Sequence, residues 1–322
     1  MPAAPTGADH GPPVLVIVGA PRSGTSLVYR ALCLHPEAAW VSGWQRRAPR
    51  HPVVSRVDRV AAWWPDRRRA AWFPGGNAYV YGRHRRPLER LLPAPVEGEP
   101  VLRAAGVPDP DAGPVATTAP PATAARLRRT LARITHHGGG RVLVTKRIAH
   151  NRRLPWLADA LPSARVVAVV RDGRAVAASL ARVDWWPDER LWWADTTVAA
   201  WRAAGGDDLA ACAGHWAAEV GAVDDGLARL ASSRVLRIRY EDLVADPVTV
   251  LAGVARFAGL AASPTFAAEL AALDVPEADH RWRHQLGASG LATVQAVAGP
   301  QLEARGYVDA DASTARTAGG RP

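Results

Sequence analysis

Four short runs of almost wholly apolar, mostly β-branched residues punctuate the chain at 14–18, 142–145, 166–170 and 235–238. A strand with one wet face alternates polar and apolar residues. Runs without that alternation belong to strands covered on both faces, as in a parallel sheet. Between them lie helical patterns at 26–34, 124–135, 175–183, 209–230 and 248–257, the first stopped by Pro36. Strands alternating with helices predict a single α/β domain: a P-loop-like parallel sheet flanked by helices, with irregular insertions. Such sheets bind ligands beyond the carboxyl ends of their strands.

Composition narrows the class. Hydrophobic content of 48% in 322 residues provides a substantial core, and the mean hydropathy is −0.09. No apolar run approaches the roughly 18–20 residues needed to cross a bilayer. The opening "MPAAPTGADHGPP" has neither the basic nor the apolar region of a signal peptide. Cys33 and Cys212 are too few for a disulfide scaffold and are not spaced as metal ligands. A reducing cytoplasm is the expected location. Residues 1–13 and 308–322 are expected to be disordered tails around a domain at 14–307, with the Pro/Gly/Ala-rich stretch 93–123 as an insertion. The formal charge of +10 suits anionic ligands, although much of it reflects arginine-rich composition. No aromatic-interleaved basic run marks a nucleic-acid module.

The first strand runs into "GAPRSGTS", Gly19 to Ser26, and a helix follows. A nucleoside-triphosphatase would place lysine directly after the second glycine, to reach the β- and γ-phosphates. Thr25 stands there, and the positive charge sits earlier, at Arg22. The first N–H groups of a helix point at whatever lies beyond its end and favour an anion. The hydroxyls of Ser23, Thr25 and Ser26 add neutral donors, and the Arg22 fork can hold two oxygens at once. This set suits a terminal phosphate of modest charge better than a magnesium-bound triphosphate; a purely structural turn is the alternative. The stretch "ARVVAVVRDGRAVAASLARV" repeats the design, with Arg171 and Asp172 after a strand and Ser179 on the next helix. In a parallel sheet Arg171 lies on the same edge as the first loop, placed to hold a second anionic group. A local Arg171–Asp172 ion pair and an ordinary small helix residue at 179 are the structural alternatives.

Together, "VGAPRSGTS", "VVRDGRAVAASL" and "RIRYEDLVADP" resemble the sulfotransferases that use 3′-phosphoadenosine-5′-phosphosulfate (PAPS). The likeness continues through "LHPEA", "TKRIAHNRRLPWL" and "HRWRHQL…LEARGY", over roughly residues 14–307, with 45–123 poorly matched. The resemblance implies that Arg22, Ser23, Gly24, Thr25 and Ser26 cradle the 5′-phosphosulfate. It further implies that Arg171 and Ser179 hold the 3′-phosphate and that Tyr240 lies close to the nucleotide. The product is then 3′-phosphoadenosine-5′-phosphate (PAP), and neither a Walker lysine nor a metal ion is required. Arg22 and Lys146 are the candidate cations for charge developing on the transferring group. Glu241 and Asp242 read as the start of a capped helix.

The proton acceptor departs from the family pattern. Several branches carry a glutamate a few residues after the His-Pro, where this chain offers Ser42, Gly43 and Trp44; Glu37 lies too close to the helix end. His150 is the first substitute and Asp184 the second. The acceptor stays open among small-molecule, carbohydrate and lipid hydroxyls. An Mg-ATP phosphotransferase on a variant loop and a catalytically silent nucleotide-binding homologue are the rival readings. Trp185, Trp186, Trp192 and Trp193 form either packing for irregular segments or an apolar, ring-binding surface for the acceptor.

Overall fold

A computed structural model describes residues 11–73, 91–275 and 282–307. Five parallel strands form its sheet: β1 (Val14–Val18), β2 (Ala38–Ala39), β3 (Val142–Lys146), β4 (Arg165–Val170) and β5 (Val235–Arg239), in the order β2-β3-β1-β4-β5. Ile17 pairs with Lys146 on one side and Val167 on the other, and Val170 pairs with Arg239. All five carboxyl ends therefore lie on one edge.

Side chains alternate across each strand, so the apolar runs feed two cores. Leu15, Ile17, Val144, Val167 and Val169 pack with the helices Thr25–Leu32 and Pro247–Ala258. Val14, Val16, Val18, Leu143, Val166 and Ala168 pack with Pro121–Gly138 and Leu154–Ala160. The helix Pro121–Gly138 presents Ala124, Leu127, Leu131 and Ile134. That three-and-four spacing is the apolar stripe of a helix on a sheet. Leu127, Leu131 and Ile134, all buried, each contribute about 1.5–3 kcal/mol.

The α/β domain divides into two compact units. The larger takes Met1–Ala20, Gly24–Val170 and Ala222–Ala278, and holds the whole sheet. The smaller takes Pro21–Ser23, Arg171–Gly221 and Asp279–Pro322. Its core includes the helix Gly173–Leu180, where a Cβ on Gly173 would come within 2.5 Å of the Trp216 ring. A helical segment, Trp282–Glu303, bends at Gly287. Arg190–Leu191 and Thr196–Thr197 form a short antiparallel ladder.

Against the expected boundaries, the first helix starts one residue earlier, at Thr25, and ends at Leu32. The edge strand β2 was not anticipated, because two residues carry no period. Within 93–123 a helix forms at Glu99–Ala104. Of the expected tails, residues 1–10 and 308–322 lie outside the described residues. Among the described residues no helix is long and apolar enough to cross a membrane.

Candidate active site

In the larger unit, β1 leaves the sheet through Gly19, at φ 146°. A Cβ there would sit 2.4 Å from the Val169 carbonyl oxygen, so only glycine lets the chain pass β4. Asn151 clamps this exit: its Oδ1 accepts from Gly19 N at 3.1 Å and its Nδ2 donates to Gly19 O at 3.1 Å. Gly24 caps the helix Thr25–Leu32 at φ 87°, and its carbonyl accepts from Leu27 and Val28. The Tyr240 ring lies flush on it; a Cβ on Gly24 would approach Tyr240 Cδ2 to 2.4 Å. Tyr240 thus borders the loop, at the head of the helix Tyr240–Ala245, whose first turn contains Glu241 and Asp242. Thr25 is buried and Ser26 half-buried, and their N–H groups open the helix without intrahelical acceptors.

In the smaller unit, Arg22 adopts a left-handed backbone, φ 68°, rare for a residue with a Cβ. Its Nε donates to Ser179 Oγ at 2.9 Å, and Arg171 Nη1 donates to the Arg22 carbonyl at 2.9 Å. The two stretches singled out in the sequence, some 150 positions apart, therefore meet through direct hydrogen bonds. Asp172 caps the helix Gly173–Leu180 by accepting from Arg174 N, and its carboxylate pairs with Arg174 Nη2 at 2.8 Å. The Ser23 hydroxyl is fully buried and has no hydrogen-bond partner among the described residues. Buried hydroxyls nearly always have one. An oxyanion held at this loop would supply one, so the loop fits such a group.

Lys146 ends β3, level with Ile17 on β1 and two residues short of Gly19. Its Nζ is buried and pairs with Glu97 Oε1 at 2.5 Å, while Arg147 Nη1 reaches Glu97 Oε2 at 2.7 Å. Burial pushes the Glu97 carboxyl up, but Lys146 and Arg147 outweigh it and hold the group below the usual carboxylate range. Behind it, Arg153 is fully buried and grips Glu99 through both terminal nitrogens, at 2.9 and 2.6 Å, and the Pro108 carbonyl at 2.8 Å. His150 belongs to this network. Its Nδ1 accepts from Arg153 Nε and its Nε2 pairs with Thr145 Oγ1, both at 3.2 Å. The ring is fully buried; burial, with Arg153, Arg147 and Lys146 around it, holds the imidazole well below its ordinary value. Both nitrogens are engaged.

Glu97 escaped the sequence reading, although it sits beside Lys146. Ser42 is bridged to Pro95 and Val96 N donates to Val41 O, so the stretch lacking the expected glutamate is laced to the one that carries Glu97. The available signal was the acidic pair in "VEGEP", inside a segment read only as an insertion. Ser42 itself caps a short helix by accepting from Gln45 N.

A model of the sulfotransferase family matches residues 13–264. The chain belongs to this family. None of the curated proteins compared with it matches. Among solved structures, it is similar to sulfotransferase STF9 from Mycobacterium avium, with a TM-score of 0.60 at 17% identity over 91% of this chain and 76% of the other. It is also similar to sulfotransferase STF1 from Mycobacterium tuberculosis H37Rv, with a TM-score of 0.52 at 20% identity over 86% of this chain and 76% of the other. These likenesses show the fold, a mostly parallel sheet flanked by helices.

In this sulfotransferase the remaining candidates take varied places. Asp184 is exposed, past the end of the helix Gly173–Leu180. Glu37 ties loops together, accepting from Ala261 N at 3.0 Å and pairing with Arg141 at 3.1 Å. Trp186 is fully buried, edge-on to His215 at 5.5 Å, and belongs to packing. Trp185, Trp192 and Trp193 are half-buried, and Trp192 Nε1 donates to Glu219 at 2.8 Å. Among the described residues no group of three or more His, Cys, Asp or Glu side chains is arranged to hold a metal ion.

Proposed function

We propose that the chain is a PAPS-dependent sulfotransferase that moves a sulfuryl group to a hydroxyl of a small-molecule, carbohydrate or lipid acceptor. The observation that carries the reading is the meeting of Arg22 with Ser179 and Arg171, beside a buried Ser23 hydroxyl with no protein partner. A donor with a phosphate at both 3′ and 5′ positions needs two anion-binding stretches. In this reading Gly24, Thr25 and Ser26 supply helix N–H groups and hydroxyls to the 5′ end with Ser23 and Arg22, Arg171 and Ser179 serve the 3′-phosphate, and Tyr240 flanks the nucleotide.

In the transfer a bond forms between the acceptor oxygen and sulfur. The bond from sulfur to the 5′-phosphate oxygen breaks, PAP leaves, and the hydroxyl proton passes to the protein. In this reading Arg22 and Lys146 supply positive charge to the departing oxygen and the sulfonate, where preorganised cations act most strongly. Glu97 is better disposed than His150 to take the proton: its oxygens are paired with Lys146 and Arg147, but it is ionised at neutral pH and only half-buried, whereas the His150 ring is fully buried between Arg153 and Thr145. A sulfonate arriving at Lys146 competes for its contact with Glu97 and frees a carboxylate oxygen for the acceptor. The reaction requires no metal. Free, buried thiols at Cys33 and Cys212 suit a reducing cytoplasm.

Calorimetry tests the reading. PAP should bind tenfold to a hundredfold more tightly than adenosine 5′-phosphate, about the value of one charge-assisted contact. Arg171→Ala should erase most of that preference and Arg22→Ala should weaken both ligands. Turnover of PAPS should persist in EDTA. Equal affinity for PAP and ATP, or an absolute need for Mg²⁺, overturns it.

A further inference from the structure

A cavity of about 280 Å³ opens in the larger unit among residues 49–52, the end of the helix Glu99–Ala104 and the helix Pro121–Gly138. No donor-loop residue lines it, nor does Lys146 or Tyr240. Its walls carry four guanidinium groups, from Arg50, Arg126, Arg129 and Arg133, and no carboxylate. The last three stand three and four positions apart and so share one helix face. Arg126 is fixed at one end, its Nε donating to the Ala105 carbonyl at 3.1 Å. The positive character continues along the same helix. Partial burial, with Arg56, His136, Arg133 and Arg59 around it, holds the His137 imidazole below its ordinary range.

Four cations around one concavity repel one another, and no carboxylate in the lining offsets them. A cleft lined by one sign of charge concentrates counter-ions, and arginine forks match tetrahedral oxyanions in geometry. Pro52 and Ala105 add small apolar walls. The volume falls just under the range typical of drug-sized ligands, which suits a phosphorylated sugar. We propose that this cavity is a second anion site, separate from the donor loop, and that it binds a small organic phosphate or sulfate ester. The inference stands independently of the PAPS reading.

The probe is glucose 6-phosphate, titrated calorimetrically into the full chain at low salt, with glucose and inorganic phosphate as controls. Binding should be measurable, weaken as salt rises, and survive Arg22→Ala. It should fall at least tenfold in Arg129→Gln/Arg133→Gln, and also in Arg50→Gln, which approaches from a different segment. These side chains are exposed, so unchanged thermal melts are expected and report intact folding. A second arm uses phosphatidylcholine vesicles with and without phosphatidic acid. Binding to the anionic vesicles alone, lost in the same variants, assigns the ester to a lipid headgroup and upholds the site. Equal affinity in wild type and all arginine variants, loss of binding in Arg22→Ala alone, or no binding of any probe overturns it.

Discussion

Replacing Glu97 with glutamine separates the two roles its position gives it. As the proton acceptor it contributes the 10²–10⁴-fold typical of general-base catalysis, roughly 3–5 kcal/mol on the barrier. As an ion-pair partner it neutralises Lys146, whose side chain is 4% exposed, and Arg147, at 35%. Breaking a fully buried pair typically costs about 3–5 kcal/mol. The exposure of Arg147 and the 15% exposure of Glu97 place this site lower, at about 2–3 kcal/mol. That corresponds to a fall in Tm of roughly 3–5 °C for a chain of this size. The assay follows PAP release from PAPS across a pH series, alongside thermal melts and PAP titration. Because Glu97 titrates below the usual carboxylate range in the folded protein, its stabilisation is complete above the unfolded value. It is lost as pH falls through the folded value. On the proposed role the same ionisation would set the acid limb of the rate, so wild-type turnover should stay level from neutrality down to that range. Glu97→Gln should lower kcat at least about a hundredfold, remove the limb and leave PAP affinity intact. A variant with kcat within about threefold of wild type, and the acid limb still in place, refutes the assignment.

Three further outcomes follow from the geometry. Gly24→Ala should cost at least about 1–2 kcal/mol and weaken PAP binding, because the backbone is left-handed and the new methyl meets the Tyr240 ring; unaltered melting and affinity would contradict this. Arg153→Met should cost about 3–5 kcal/mol in urea unfolding, since it leaves the buried Glu99 carboxylate only its longer contact with Arg147, at 3.5 Å, and removes the donor to the Pro108 carbonyl and His150 Nδ1; a loss under about 1 kcal/mol would show that the network is dispensable. Burial pushes the Asp58 carboxyl up to about 7, so stability is greatest below its unfolded value and falls, by the order of 4 kcal/mol, as pH rises through 7. Asp58→Asn should lose that slope and be the more stable protein at alkaline pH, as read by melts across pH.

Local sequence pattern was enough to place the sheet and the glycine loop after β1. Runs of Val, Leu and Ile too uniform for a half-exposed strand have one stable placement, between two layers of helices. The four expected strands appear within a residue of their anticipated ends, but only the first three are covered on both faces; β5, with Arg237 and Arg239 in it, is an edge strand and stays half-buried. Glycine and hydroxyl spacing fixed the loop for a similarly local reason: Gly19 and Gly24 occupy backbone conformations that other residues rarely adopt. Parallel pairing also brought Arg171 to the first loop's edge, because parallel strands all end on one side. Tertiary structure alone decided what surrounds Lys146. Glu97 lies 49 positions away in a stretch without period, and its contact depends on how a Pro-rich segment pairs with residues after β2. It also turned His150 inward, since its ring satisfies Arg153 and Thr145 where no water reaches. Trp186 went to the core while Trp185 beside it stayed half-buried, a distinction no pattern of adjacent tryptophans encodes. Backbone preference and burial on two faces are properties of neighbouring residues and can be read along the chain. The partner of a charge is set by distance in space, and only the folded chain brings the two together.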